Sequence, residues 1–199
     1  MGRIAGVTPE ETRGRLVRAA GQVFAERGYE GTRIADVARA AGLSTGAIYA
    51  HYGSKAELLA AAIRAHSDEE LAGLLAGDEL LPIPDLLVAL GSTLEQRSRE
   101  RGSLLVEAIV AARRDPEVAA QLAAGVGDRE GFFAGLVLHA QRLGDLDGDV
   151  APRAVARLCL MLALGALLVR ALDLPPADPG DWSALMNRLV DGFRPQEER

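Results

Sequence analysis

The fold of this chain is decided by residues 32–52, which read TRIADVARAAGLSTGAIYAHY. Apolar side chains recur three and four positions apart on both sides of Gly42, which predicts two short amphipathic helices. Gly42 can adopt the left-handed conformation that turns a chain sharply, and the small side chain of Ala38 lets two helices cross closely. Leu43 and Ile48 then fill the space between them. The segment therefore predicts a helix-turn-helix, in which two helices cross at a turn of three or four residues.

The second of these helices presents a small, polar N-terminal face. Such a face can enter the major groove of DNA, where side chains reach the edges of the bases. The polar side chains that follow lie at a distance suited to phosphate oxygens, beside the positive dipole end of a helix that opens at Ser54. The residues expected at base edges are Ser44, Thr45, Gly46 and Ala47, and those expected at phosphates are Tyr49, His51, Tyr52 and Lys55.

Each of these features, taken singly, also fits a plain helical corner. A glycine commonly joins two helices in proteins that bind no DNA. Tyr49 and Tyr52 also suit the edge of a core, and His51 suits an ordinary surface position. Their joint occurrence in register with Ser44 and Lys55 favours DNA binding.

A dense pattern of residues covers roughly positions 10–60. It comprises Thr32, Val37-Ala38, Ala41-Gly42-Leu43-Ser44, Gly46, Ile48-Tyr49, His51-Tyr52, Ser54-Lys55 and Leu58-Leu59. This pattern resembles the DNA-binding domain of the tetracycline-repressor (TetR) family. The resemblance implies an all-helical fold, with a three-helix DNA-binding domain at residues 1–55 and a larger helical domain at residues 56–199.

The resemblance also implies roles for single residues. The chain departs from the family at Tyr52, where phenylalanine is usual, and at Thr45, where relatives often carry lysine or arginine. The second departure removes one cationic contact, which bears on affinity for DNA and not on the fold. Phosphate contacts are implied for Thr32, Tyr49, His51 and Lys55, and base contacts for Thr45, Gly46 and Ala47. Arg33 is expected to be a further DNA-binding residue.

Composition supports a helical protein in the cytoplasm. The 199 residues are 49% hydrophobic and 25% charged, and alanine and leucine dominate over the residues that favour strands. The single cysteine, Cys159, cannot form an internal disulfide, which fits a reducing compartment. The net charge of −6 is unevenly spread, since residues 1–55 hold eight basic and five acidic groups and the remainder 14 and 23. The basic excess at the N-terminal end suits contact with phosphates.

Capping residues and glycines mark the helix boundaries. Threonine or aspartate followed by proline predicts a helix start at Thr8, Asp115 and Asp178, and Ser54 with Glu57 forms a capping box. Helices are expected from Thr8 to near Gly28 and then at about 32–41, 44–52, 54–75, 84–100, 103–114, 116–143, 152–172 and 180–193, with a break at 77–84 and a bend or interruption at Gly125 and Gly127.

The most apolar stretch runs from Leu158 to Val169, between two arginines. A helix that spans a bilayer needs about 20 residues, so this stretch is too short for one. We therefore expect no membrane contact and a buried helix, either inside the domain or at a subunit interface.

The resemblance implies that the C-terminal domain dimerises and holds an effector pocket. Self-association suits a two-fold DNA site, whose half-sites lie about 34–36 Å apart. A ligand pocket is largely apolar with a few polar groups, although each candidate also fits ordinary core packing. The pocket candidates, on segments expected to face the interior, are Glu107, Phe132, Phe133, His139, Cys159 and Met161, and the dimer-interface candidates are Leu158, Leu162, Leu185, Leu189 and Phe193.

Two other functions are open to a helical chain. A di-iron enzyme needs Glu-x-x-His pairs and structural zinc needs clustered Cys and His, and the sequence has neither, so no catalytic residue, metal or cofactor is expected. A bundle whose helix-turn-helix no longer binds DNA would bind protein, and salt would barely weaken that contact. We expect a homodimeric regulator of transcription on a palindromic operator in double-stranded DNA. The resemblance favours a repressor that a small-molecule effector releases.

Overall fold

The computed structural model describes residues 8–75, 83–93 and 99–195, and every regular element in these ranges is an α-helix. The predicted all-α class is therefore confirmed, while most of the predicted break at 77–84 lies outside the described residues. The helices are α1 (Pro9–Gly31), α2 (Ile34–Ala41), α3 (Thr45–Tyr49), α4 (Lys55–Leu75), α5 (Ile83–Thr93), α6 (Arg99–Ala112), α7 (Pro116–Leu143), α8 (Pro152–Ala171) and α9 (Pro179–Asp191).

Side-chain caps explain where three of the helices begin. The hydroxyl of Thr8 accepts from the N–H of Glu11 at 3.1 Å, and the N–H of Thr8 donates to the Glu11 carboxylate at 2.7 Å. This reciprocal pair satisfies two N–H groups that the first turn of α1 leaves without partners. Asp115 and Asp178 each accept from two N–H groups at the start of α7 and α9. The predicted starts of these helices are thus confirmed.

Several boundaries differ from the prediction by two to four residues, since α3 ends at Tyr49 instead of residue 52 and α6 begins at Arg99 instead of residue 103. Gly28 has φ 69° and breaks the regular helix, but a further turn carries α1 to Gly31. Thr32 and Arg33 are extended, so α2 begins two residues later than expected. A β-region conformation is ordinary for residues that precede the first helical turn.

Two further details concern α4 and α7. Ser54 accepts from the N–H of Glu57 at 3.1 Å, as predicted, but the Glu57 carboxylate binds the N–H of Gly53 instead of that of Ser54.

The expected interruption of α7 at Gly125 and Gly127 is wrong, since α7 is one helix of 28 residues. Glycine weakens a helix by only about 1 kcal/mol, which packing along the rest of the helix can offset.

The first of two compact units consists of the described chain up to Leu71 together with Ser103–Gly125. Its core therefore joins α1 to α4 with α6 and the start of α7. The predicted domain boundary after residue 55 divides the chain by function, into a DNA-binding part and an effector-binding part. It stays a prediction. The largest fully buried side chains of this unit are Leu16, Phe24, Val37, Ile48, Leu58, Leu59, Val118 and Thr32.

The second unit consists of the described residues between Ala72 and Gly102 and those from Val126 onward. In it α5 packs along α9, where the indole N–H of Trp182 donates to the carbonyl of Gly91 at 2.9 Å. A side chain at Gly91 would displace Met186, because its Cβ would lie 2.8 Å from the sulfur of that residue. The buried core of this unit contains Leu87, Val137, Ala140, Leu146, Val155 and Val190.

The apolar helix α8 is longer and more exposed than the sequence predicts. It has 20 residues, and its buried side chains are those of Val155 and Ala156. In the described chain it is long and apolar enough to cross a membrane, a test that the core helix of a soluble protein also passes. The expectations that this stretch is too short to span and is buried inside the domain are therefore wrong for the single chain. Burial at a subunit interface stays a prediction.

Candidate nucleic-acid interface

The helices α2 and α3 meet at a three-residue turn. Gly42 lies in the left-handed region, with φ 64° and ψ 34°, and its N–H bonds to the last turn of α2. The N–H of Leu43 donates to the carbonyl of Ala38 at 2.9 Å, which completes the hydrogen-bond pattern of a Schellman motif. Ile48 is fully buried and attaches α3 to the core. The predicted helix-turn-helix is therefore present.

The N-terminal face of α3 is open to solvent. The hydroxyl of Ser44 accepts from the N–H of Ala47 at 3.2 Å and so caps the helix. The ring of Tyr49 is 55% exposed at the other end of α3. A ligand can therefore reach the exposed residues of this face. The predicted DNA-contacting residues on it are Ser44, Thr45, Gly46, Tyr49 and His51, all exposed, and Ala47, which is half-buried.

Thr32 and Tyr52 point into the protein. Thr32 is 2% exposed, and its hydroxyl donates to the carbonyl of Gly28 at 2.7 Å. Tyr52 is 3% exposed, and its hydroxyl accepts from Nε of Arg13 at 3.2 Å, a bond that raises the pKa of the guanidinium. Both side chains therefore fix helix packing beside the predicted DNA surface, and neither hydroxyl is directed outward.

Lys55, the single lysine of the chain, is also held by the protein. Its ammonium donates to the carbonyl of Tyr29 at 2.9 Å and to that of Thr32 at 3.3 Å. It also lies 4.1 Å from the centroid of the Tyr29 ring, within the range of a cation–π contact. Lys55 thereby joins the start of α4 to the end of α1 while its charge stays near the helix-turn-helix.

A contact that sequence reasoning missed links Tyr29 to Asp115. The Tyr29 hydroxyl donates to the Asp115 carboxylate at 3.0 Å. This hydrogen bond, followed by the N–H groups of Val118 and Glu117, lowers the pKa of Asp115, while burial and the same bond raise the pKa of Tyr29. The two residues are 86 positions apart, and no local signal in the sequence pairs them.

Arg33 is exposed at the start of α2, where its N–H donates to the Asp36 carboxylate at 3.3 Å. Burial by itself would raise the pKa of the Asp36 carboxyl. The N–H of Arg33 and the guanidinium groups of Arg27 and Arg39 outweigh burial, so the pKa of Asp36 is lowered. Asp36 therefore stays ionised between Arg27, at 3.3 Å, and Arg39, at 3.2 Å. It neutralises part of the charge of these two arginines, while Arg33 remains an exposed cation at the start of α2.

The ligand-pocket candidates are divided between the two units. Glu107 belongs to the first unit, where a Cβ added at Gly28 would lie 3.0 Å from its carboxylate. In the second unit the rings of Phe132 and Phe133 meet edge to face, with their centroids 5.7 Å apart. Membership of an effector pocket stays a prediction for all three candidates.

The expectation that the pocket candidates face the interior is wrong for three of them. Phe132 is 42% exposed, Met161 is 62% exposed, and His139 is exposed as well. The helical period explains the two residues of α7, because Phe132 and His139 lie five and two positions from the buried Val137 and therefore on other faces of the helix. Cys159 is half-buried against the core of the second unit, and burial raises the pKa of its thiol.

The dimer-interface candidates lie on or just beyond two helices that expose much apolar surface. Leu185 of α9 is 54% exposed, and on α8 Leu168 is 52% exposed. Phe193 packs in part against the core of the second unit. The half-buried candidates are Leu158, Leu162, Leu189 and Phe193.

Comparison with known proteins agrees with this geometry. The model of the family "Bacterial regulatory proteins, tetR family" matches residues 16–62. The HTH-type transcriptional regulator UidR of Escherichia coli K12 is 28% identical over 166 residues, which are 83% of this chain and 85% of that protein.

Two solved structures match nearly the whole chain. A Rhodococcus sp. protein described as a TetR-family transcriptional regulator has a TM-score of 0.80 at 22% identity, over 94% of this chain and 100% of its own. GusR of Salmonella enterica has a TM-score of 0.72 at 26% identity, over 94% and 97%. With the open face of α3 and the match across the helix-turn-helix, these likenesses lead to one conclusion. Residues 16–62 form a DNA-binding domain of the tetR family of bacterial regulatory proteins, and the chain is a DNA-binding regulator of transcription.

Proposed function

We propose that this regulator is a homodimeric repressor on an inverted-repeat operator in double-stranded DNA, and that a small-molecule effector releases it. Residues 1–55 read the DNA, and residues 56–199 dimerise and bind the effector. The protein acts in the bacterial cytoplasm, where the chromosome lies. Effector binding changes the spacing of the two helix-turn-helix motifs, because a ligand shifts an equilibrium toward the state that it binds more tightly.

The open N-terminal face of α3 is the observation that carries the proposal. Its small side chains let the helix approach base edges closely, so Ser44, Thr45, Gly46 and Ala47 are the proposed base contacts. The proposed phosphate contacts are the exposed residues Arg33, Tyr49 and His51. Thr32, Tyr52 and Lys55 support this surface by the inward bonds described above.

Exposed apolar surface on α8 and α9 supports the dimer. Met161, Leu168, Leu172 and Leu185 are each more than half exposed in the single chain. Apolar surface of this kind marks an interaction site in a protein that is otherwise well packed. A two-fold dimer also matches an inverted repeat, since the symmetry of the protein mirrors that of the DNA.

The effector assignment rests on the second unit. This unit has a buried core of its own, and α3 belongs to the first unit. Reading DNA needs only the helix-turn-helix and the helices that pack on it. We infer that the second unit serves dimerisation and the response to a ligand.

Selection of bound sequences from a random duplex library by the purified protein tests the proposal. We expect enrichment of an inverted repeat whose half-sites lie about one helical turn, or a whole number of turns, apart. Enrichment of a single half-site would contradict the dimer. No enrichment by a folded protein would favour the protein-binding bundle over the DNA reader.

Two exposed histidines provide a matched pair for the contact assignment. His51 lies just beyond α3, and His139 lies on α7 in the second unit. Loss of a hydrogen bond to a charged group costs about 1.5–3 kcal/mol, so His51→Ala should weaken operator binding about tenfold or more. His139→Ala should leave the affinity of the effector-free protein unchanged. Equal affinities of the two variants in a fluorescence-anisotropy titration would remove His51 from the interface.

A further inference from the structure

Two adjacent arginines occupy the connection between α6 and α7. Arg113 and Arg114 are exposed, and with Val110 they line a surface cavity of about 380 Å³. Within the described residues neither side chain has a hydrogen bond or an ion pair, whereas Asp36 holds Arg27 and Arg39. The connection therefore carries two positive charges that no described carboxylate neutralises.

This connection is fastened to the end of α1 and to the start of α4, the two helices that flank the helix-turn-helix in the chain. Tyr29, at the end of α1, donates to Asp115, the residue directly after Arg114. The hydroxyl of Ser54, directly before Lys55, donates to the carboxylate of Glu117. Because Cα atoms of neighbouring residues are about 3.8 Å apart, the arginines stay within a few ångströms of these contacts.

The acidic groups nearby are already bound to protein donors. Asp115 accepts from the Tyr29 hydroxyl and from the N–H groups of Glu117 and Val118. Glu117 accepts from Ser54. Both carboxylates are therefore bonded to protein donors, and the charged groups of this connection without a described partner are the two guanidinium groups.

We propose that Arg113 and Arg114 bind the sugar-phosphate backbone of the operator, as a second DNA contact outside the helix-turn-helix. The proposal rests on the function proposed above. It follows from charge complementarity and from continuity with Ser54 and Lys55, which adjoin the predicted phosphate surface. The planar guanidinium group matches phosphate geometry, and contacts to phosphates fix position without reading sequence. The pair therefore adds affinity and salt dependence but no sequence specificity.

The test compares two double variants that remove the same charge. Arg113→Ala with Arg114→Ala removes the proposed contact. Arg142→Ala with Arg153→Ala removes two exposed arginines of the second unit. Each lost phosphate contact lowers the slope of log affinity against log salt by about 0.9. In a dimer we expect the first variant to lose about 1.8 to 3.6 from that slope and the second to lose nothing.

Further measurements separate the outcomes. Arg113→Lys with Arg114→Lys keeps the charge and should retain most of the slope, while unchanged melting temperatures exclude misfolding. Equal slopes of the two alanine variants overturn this inference. A second contradicting outcome uses inorganic phosphate as the probe. If phosphate raises the melting temperature of the parent protein but not that of the Arg113 and Arg114 alanine variant, while both have the same DNA slope, the pair binds free phosphate and not the operator. Tyr49→Ala, assayed alongside, keeps the two proposals apart. If it weakens binding while the arginine variants do not, only the second contact fails.

Discussion

At the scale of single residues, side chains that the pattern assigns to DNA also hold the protein together. Thr32 and Tyr52 bond to partners inside the first unit, and the ammonium of Lys55 bonds to two carbonyl groups. Lys55→Ala would therefore remove packing as well as charge, and a loss of DNA binding in that variant would not identify a phosphate contact. Tyr49 and His51, whose side chains are exposed, are the cleaner positions for such tests.

Tyr29→Phe isolates the hydrogen bond to Asp115, since the ring keeps its stacking on Phe24 at 6.1 Å. We expect a lower urea midpoint at pH 7, because the charged acceptor loses its donor. The pKa of Asp115 in the folded protein lies below its ordinary value of 3.8. Its contribution is therefore complete above that value and is lost as the pH falls through the lower, folded value.

The difference between Tyr29→Phe and the parent protein should accordingly narrow in acid. Urea unfolding at pH 7 and at successively lower pH measures it. Tyr49→Phe, on an exposed ring, is the control and should match the parent protein throughout. A Tyr29→Phe variant as stable as the parent at pH 7 would show that the bond contributes nothing.

At the scale of elements, α3 depends on its neighbours. It has five residues, too few for a helix that is stable alone. The Ser44 cap, the left-handed turn at Gly42 and the buried Ile48 supply what the helix lacks. The orientation of the DNA-reading face therefore depends on one turn and one buried side chain.

Alanine at Gly42 and at Gly46 separates the turn from the contact surface. No atom lies within 4 Å of a Cβ at Gly42, so the strain of φ 64° is the expected cost of Gly42→Ala, about 1–2 kcal/mol. Gly46 is helical, so Gly46→Ala should be neutral or stabilise by up to about 1 kcal/mol. Its methyl group should nevertheless weaken operator binding, because it stands on the proposed base-reading face. Chemical denaturation and DNA titration of both variants check this, and a Gly46→Ala variant with full affinity would exclude close approach at that position.

At the scale of the whole molecule, the apolar surface is unevenly distributed. Most of the largest fully buried side chains lie in the first unit, whereas Met161 and Leu168 of α8 and Leu172 just beyond it are each more than half exposed. Exposed leucines at this density favour self-association or a membrane, and the proposed dimer would cover them.

Leu168→Glu with Leu185→Glu places charges on the proposed interface. We expect a monomer in sedimentation equilibrium and weaker operator binding, since one half-site contact replaces two. Leu143→Glu, at a leucine of α7 that is 63% exposed, is the matched control and should remain a dimer. A parent protein that is monomeric at micromolar concentration, or a dimer that survives both charges, would refute an α8–α9 interface.

Local features of the sequence determined most of the fold. Thr8, Asp115 and Asp178 placed helix starts, and Gly42 placed the turn, because caps and left-handed glycines act within a few residues. The face of α3 that would read DNA was predicted as well, since it follows from the spacing around that turn.

Tertiary structure decided which side chains serve the surface and which serve the core. Thr32 and Tyr52 turned inward, α8 remained exposed, and Tyr29 met Asp115 across 86 positions. These outcomes depend on how helices distant in sequence pack together. Helical periodicity shows which residues share a face, but only packing selects the face that is buried, because that choice requires the shape and charge of the neighbouring helices.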